Sequence, residues 1–158
     1  EDLYALGDRL VRMGVAMAAI KLGTRGYYLR TAGPDRLRHM GRLSMTDPVA
    51  AARWADRELH HECFVAEPVV SASGAGDASI AGFLSGLLTG LGPEDCLALA
   101  NAAGSLNVLV RESVGGVKPL VATLVRIPGW ETIPAWRESS FFVPTGAGAC
   151  RRGPRDRA

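Results

Sequence analysis

The chain has 158 residues, a formal net charge of +2, 47% hydrophobic residues and only 6% aromatic ones. That length suits one domain with a real core. Without a basic stripe interleaved with aromatics, nucleic-acid binding is not expected. No apolar run reaches the roughly 18–20 residues that cross a bilayer, so no membrane association is expected either.

The acidic start, Glu1-Asp2-Leu3-Tyr4, does not read as a signal peptide. The lack of an initiator Met suggests that the chain starts mid-gene or was trimmed. Leu3, Leu6, Leu10 and Met13 recur at helical spacing, with Asp2 as a candidate cap, and predict a helix over 2–13. The apolar run 15–22 lacks polar alternation and reads as a buried, parallel-type strand. Gly23-Thr24-Arg25-Gly26 then turns the chain into Tyr27-Tyr28-Leu29-Arg30, so 16–30 also reads as a hairpin. Residues 31–48 are polar and punctuated by Gly33-Pro34-Asp35; 49–60 read as a short helix carrying Trp54 and Leu59.

His60-His61-Glu62-Cys63 has the wrong spacing for metal ligands on one helix face, and reads as a solvated helix end; no metal is assigned. Cys63, Cys96 and Cys150 are odd in number and form no CxxC pair. They read as reduced thiols in a cytoplasmic protein. Residues 64–66 and 69–70 are strand material interrupted by Pro68, which points to an edge strand or a bend. Helices follow over 76–89, from Pro93 to about Val110, and over 120–127, separated by Gly90-Leu91-Gly92 and Gly115-Gly116. Residues 138–158, poor in core formers and ending in four Arg and one Asp within eight residues, are expected to be a disordered tail.

The most informative stretch is Ser73-Gly74-Ala75-Gly76-Asp77, which opens the helix over 76–89. Small residues let backbone approach a ligand closely. The unpartnered amides and the dipole of a helix start make an anion site. A carboxylate beside a phosphate would repel it, so Asp77 makes chemical sense as an acceptor of a proton from a hydroxyl that attacks phosphorus.

These residues closely resemble the second signature of the ribokinase-like (pfkB-type) carbohydrate kinases. The resemblance covers roughly residues 1–127, in the family's order. Ile20-Lys21-Leu22-Gly23-Thr24-Arg25-Gly26 is similar to the hairpin beside the nucleotide. Leu99-Ala100-Asn101-Ala102-Ala103-Gly104 is similar to the segment near the adenine, and Arg111-Glu112-Ser113-Val114-Gly115-Gly116 to the loop that closes over the base. The implied fold is α/β: a ribokinase-like three-layer α/β/α sandwich, C-terminal part only, spanning residues 1–137.

The resemblance implies Asp77 as catalytic base and the amides of Gly74, Ala75 and Gly76 as an anion hole. It implies that Lys21, Gly23, Gly26, Asn101, Gly115 and Gly116 bind ATP, which comes with Mg2+. The function implied is transfer of the ATP γ-phosphate to a hydroxyl of a sugar or nucleoside-like acceptor. Ser71 stands where the family usually has Asp, which puts the monovalent-cation site in doubt, and Ser79 stands where it usually has Phe.

The sugar-binding half of such kinases comes first and has no counterpart here, so the fragment by itself is expected to be inactive, and a homodimer belongs to the full-length parent. A catalytically inactive nucleotide-binding or regulatory fragment stays open as the alternative. A dinucleotide-binding oxidoreductase is disfavoured, because Gly74-Ala75-Gly76 lacks the third glycine of that fingerprint.

Overall fold

Apolar segments on either side of Gly23–Gly26 pair as β1 (Met17–Lys21) and β2 (Tyr27–Thr31), joined by a 3-10 turn over Gly23–Arg25. The pairing is antiparallel, from Met17 opposite Thr31 to Lys21 opposite Tyr27. The parallel strand suggested by the apolar run 15–22 is therefore corrected: so short a turn can join only antiparallel neighbours, and apolar composition does not fix strand direction. The computed structural model describes residues 2–43, 45–134, 142–146 and 148–157.

β3 (Glu58–His61) lies antiparallel beside β2, and the described sheet continues through β5 (Cys150–Arg152) to β4 (Val143–Pro144), in the order β1-β2-β3-β5-β4. Among the described residues six α-helices surround it: α1 (Leu3–Arg12), α2 (Pro34–Arg38), α3 (Pro48–Trp54), α4 (Ala75–Leu88), α5 (Pro93–Asn107) and α6 (Leu120–Arg126). Their starts follow local chemistry. Asp2 accepts from the Ala5 amide at 2.7 Å, Asp47 accepts from Val49 and Ala50, and α5 opens with Pro93, Glu94 and Asp95.

β2 is the centre of three layers. Alternation along it sends Tyr28 towards α1, where its ring meets Tyr4 edge-on at 6.3 Å. Tyr27 and Leu29 point the other way, into a core with Leu59, Phe83, Leu97 and Ala100 from β3, α4 and α5. Helices thus cover both faces of the sheet.

Two expectations change. The helix over 49–60 stops at Trp54, because Ala55 is extended and Asp56 takes a positive φ of 54°; Leu59 belongs to β3. His60 and His61 are buried strand residues, not a solvated helix end. Residues 64–70 bend at Glu67 and Pro68, as the proline predicts, and among the described residues they contribute one bridge, Phe64 to Thr132.

The tail prediction covers 138–158, of which 138–141, 147 and 158 lie outside the described residues. Residues 150–152 pair with β3, and Asp156 is buried against Arg57, Nε to Oδ1 2.7 Å. Composition gives no hint of this, since the tail's charges find partners nearly a hundred residues away. Among the described residues no helix is long and apolar enough to cross a membrane.

Candidate functional site

The N-terminus of α4 is set by Gly74, which caps the helix with φ 74°. That left-handed conformation disfavours a side chain. A Cβ there would also collide with the Ser113 carbonyl. The Ala78 amide makes the first helical bond, to Gly74 O at 2.9 Å, while the Ala75 amide turns back to Ala72 O at 3.3 Å. In a helix starting at Ala75, the amides of Gly76 and Asp77 have no acceptor within the helix, and no side chain caps this end. Asp77 itself is exposed on the first turn.

The end of β1 brings a cation to this place. A Cβ on Gly76 would sit 2.7 Å from Lys21 Nζ. An ammonium group therefore lies over the first turn of α4, where the helix dipole is already positive. Gly26, at φ 87°, lets the hairpin press on the backbone carbonyl of His61. The hairpin, β3 and α4 meet as a result.

Between them lies a cavity of about 330 Å³. Lys21, Gly23, Gly26, Ala75, Gly76 and Asn101 line it, with Tyr27, Phe64, Val69, Val108 and Ile133 among its apolar walls. The structure thus gathers the hairpin residues, the Asn101 helix and the start of α4 around one space. Gly74, Asp77, Gly115 and Gly116 lie outside that lining.

Asn101 is buried rather than on an exposed helix face. Its Nδ2 donates to His61 O at 3.1 Å and lies 3.1 Å from His61 Nδ1, which ties α5 to β3. Burial pushes the His61 imidazole down to about 4, so it is neutral at pH 7 and adds no charge beside the cavity. Burial also raises the Cys63 thiol, which lines the cavity 3.7 Å from Ser105 Oγ.

Ser71 Oγ accepts from the Ser73 amide at 3.2 Å in a local turn. Ser79 Oγ donates to Ala75 O at 2.9 Å, and a Cβ on Gly104 would strike it. α4 and α5 are too close there for a large residue to face the glycine.

Sequence reasoning passed over Asn107, which is fully buried and bonds both the Ser73 and Ser113 carbonyls. Its one visible signal is a second amide, after Asn101, in an otherwise small and apolar stretch of α5. His61 was masked by the polar look of His60-His61-Glu62.

Residues 1–118 match the pfkB family carbohydrate kinases. An "uncharacterized sugar kinase" of Archaeoglobus fulgidus is 32% identical over 101 residues, which is 64% of this chain and 31% of that relative. In solved structures, Arabidopsis thaliana ribokinase complexed with ribose and ATP superposes with a TM-score of 0.59 at 23% identity, over 81% of this chain and 34% of that one. A putative sugar kinase from Clostridium perfringens gives 0.60 at 16% identity, over 84% and 36%. The fold is therefore ribokinase-like, and the chain spans about a third of the length of each of these relatives.

Proposed function

The chain belongs to the pfkB family of carbohydrate kinases, and from that premise we propose that it carries the phosphoryl-donor side of an ATP-dependent phosphotransferase acting on a sugar or nucleoside-like hydroxyl. One observation carries the reading: Lys21 Nζ sits over Gly76 at the start of α4, and both residues line a largely apolar cavity.

The residues fit ATP. The apolar walls suit a base, with Asn101 on the α5 side of the same space. The Lys21 ammonium and the Gly76 and Asp77 amides suit phosphate oxygens. Mg2+ would come with the nucleotide and be held mainly by its phosphates. ATP supplies the transferred phosphoryl group.

The chain's own groups then act in three ways. Lys21 and the α4 amides fix the donor and face the charge that develops on the phosphoryl oxygens, as preorganised dipoles do. The exposed Asp77 carboxylate, on the same first turn, accepts the proton of the attacking hydroxyl. The α4–α5 pair keeps these groups in place, because in-line transfer depends on positioning. A cytoplasmic setting, where ATP and reduced thiols coexist, agrees with this chemistry.

A second reading, nucleotide binding without transfer, is favoured by Ser71, a serine engaged in the turn before α4 where the family usually has Asp. Assays of phosphate transfer from ATP to a panel of sugars and nucleosides separate the two. They should be run on this chain alone and on the chain extended by the residues that complete the fold. Transfer by the extended protein only is the expected result. Binding of ATP by both with transfer by neither would favour the second reading.

A further inference from the structure

Two backbone carbonyls converge on one side chain beneath the start of α4. Asn107 Nδ2 lies 3.1 Å from Ser73 O and 3.0 Å from Ser113 O, and its Oδ1 accepts from the Gly116 amide at 3.3 Å. Asn107 is fully buried at the end of α5. Ser73 directly precedes the Gly74 cap, and Ser113 and Gly116 belong to the loop over 111–116.

The orientation of the amide follows from its partners. An amide nitrogen has two hydrogens, one for each carbonyl, and its oxygen suits the Gly116 N–H. The flipped amide would set oxygen against two carbonyls and nitrogen against a donor. Three of the four bonding positions of the side chain are thereby used on two loops.

Converging carbonyls create a negative pocket that needs a positive neighbour, either a cation or N–H donors. Here the donors are built in. Position 71, in the turn before α4, is a serine whose hydroxyl is engaged by the Ser73 amide at 3.2 Å, so no carboxylate stands there to add charge for an ion. The two carbonyls do not require a monovalent cation, because each already has an Nδ2–H partner in Asn107.

We propose that Asn107 is a positioning residue whose neutral amide does the work of a bridging monovalent cation, locking the turn before α4 to the 111–116 loop so that this site is indifferent to K+ and Na+. The lock is a claim about the chain itself. Its consequence for nucleotide binding rests on the phosphate reading above.

Hydrogen exchange of the whole chain without nucleotide, in KCl and in choline chloride of equal ionic strength, tests the lock. Wild-type segments 73–77 and 112–117 should exchange at the same rate in both salts. Asn107→Asp removes both donors and adds a charge, so these segments should open about tenfold faster or more in choline and slow again in KCl. A merely structural role would not produce that rescue by K+.

Wild-type protection that rises several-fold in KCl would overturn the proposal. So would a folded Asn107→Asp protein that exchanges like wild type in choline. If Asn107→Asp fails to fold, the wild-type comparison decides alone, with Asn107→Ala expected to lose protection in both salts. Titration with Mg-ADP in the same two salts should give one affinity. No binding in either salt would count against the phosphate reading, while the exchange data would still judge the lock.

Discussion

At the scale of single residues, position decides role. Asp77 is exposed and adjacent to the Gly76 amide, so replacing it with Asn should leave phosphate anchoring intact and remove the base. In the fold-completing protein, Asp77→Asn is expected to lower turnover about 10²–10⁴-fold. Its ATP affinity should stay within about twofold, since the anchoring amides and Lys21 are untouched; turnover like wild type would remove Asp77 as base. Gly74 combines a left-handed φ with the Ser113 carbonyl at its back. Gly74→Ala should therefore cost at least about 2 kcal/mol in urea unfolding, whereas a change under about 0.5 kcal/mol, as at an ordinary surface site, would show that the turn tolerates a side chain.

His61 adds a pH dependence whose sign can be worked out. Its folded pKa of about 4 lies below the unfolded value of 6.5 because burial disfavours the charged form. Between these values the unfolded chain binds more protons, so the contribution is full above pH 6.5 and is lost as pH falls towards 4. His60 is lowered in the same direction, also by burial. Stability measured from pH 7 to pH 4 should fall, by up to about 1.4 kcal/mol per pH unit for each such histidine. His61→Gln should flatten the slope; an unchanged slope would mean that His61 titrates alike in both states.

At the scale of elements, α4 and α5 form the scaffold of the site. Gly82 faces Leu99 O, which a Cβ would approach to 2.8 Å, and the Ala103 Cβ, at 3.0 Å. Backbone cannot yield cheaply, so Gly82→Val should separate the helices at a cost of about 1–3 kcal/mol and weaken nucleotide binding from a distance. Retained stability and affinity would show that the close approach is not needed. These helices were legible from sequence: apolar spacing, Gly74-Ala75-Gly76-Asp77 at one start and Pro93-Glu94-Asp95 at the other mark them without tertiary information. β3 was not. Glu58, His60 and His61 look like solvent-facing residues, yet Tyr28 donates to Glu58 Oε1 at 3.0 Å, and His60 Nε2 lies 2.7 Å from Arg25 O. Local patterning cannot foresee partners brought together by the fold. The same limit hid Asn107, whose three partners are defined only once both loops are placed.

At the scale of the whole molecule, ion pairs knit distant segments into the sheet. Arg57, 2% exposed, pairs with Glu94 at 2.5 Å and with Asp156 at 2.7 Å. Asp156 Oδ1 also accepts from the Glu58 amide at 3.0 Å, and Arg155 reaches Asp8 at 3.1 Å. Removing one member of such a set leaves buried charge short of partners. Asp156→Ala should therefore cost about 3 kcal/mol by chemical denaturation, near the lower end for breaking a buried pair because Glu94 remains. A loss under about 0.5 kcal/mol, as for an exposed pair, would indicate that residues 150–157 do not dock in solution. The order of hairpin, α4, α5 and the 111–116 loop was readable because each carries its own glycine or cap signal. The docking of the last strand was not, because its charges are matched only across the whole chain.

The most direct test of the nucleotide site is calorimetric titration of the purified chain with Mg-ADP, beside Gly76→Val and Lys21→Ala, with folding checked by circular dichroism. A Cβ at Gly76 meets only the flexible end of Lys21, so Gly76→Val should fold and still block the phosphates. Saturable binding by wild type, abolished by Gly76→Val and weakened about tenfold or more by Lys21→Ala, is the expected result. A folded wild-type chain with no saturable binding, or binding that both variants retain, would contradict the assignment of the phosphates to the start of α4.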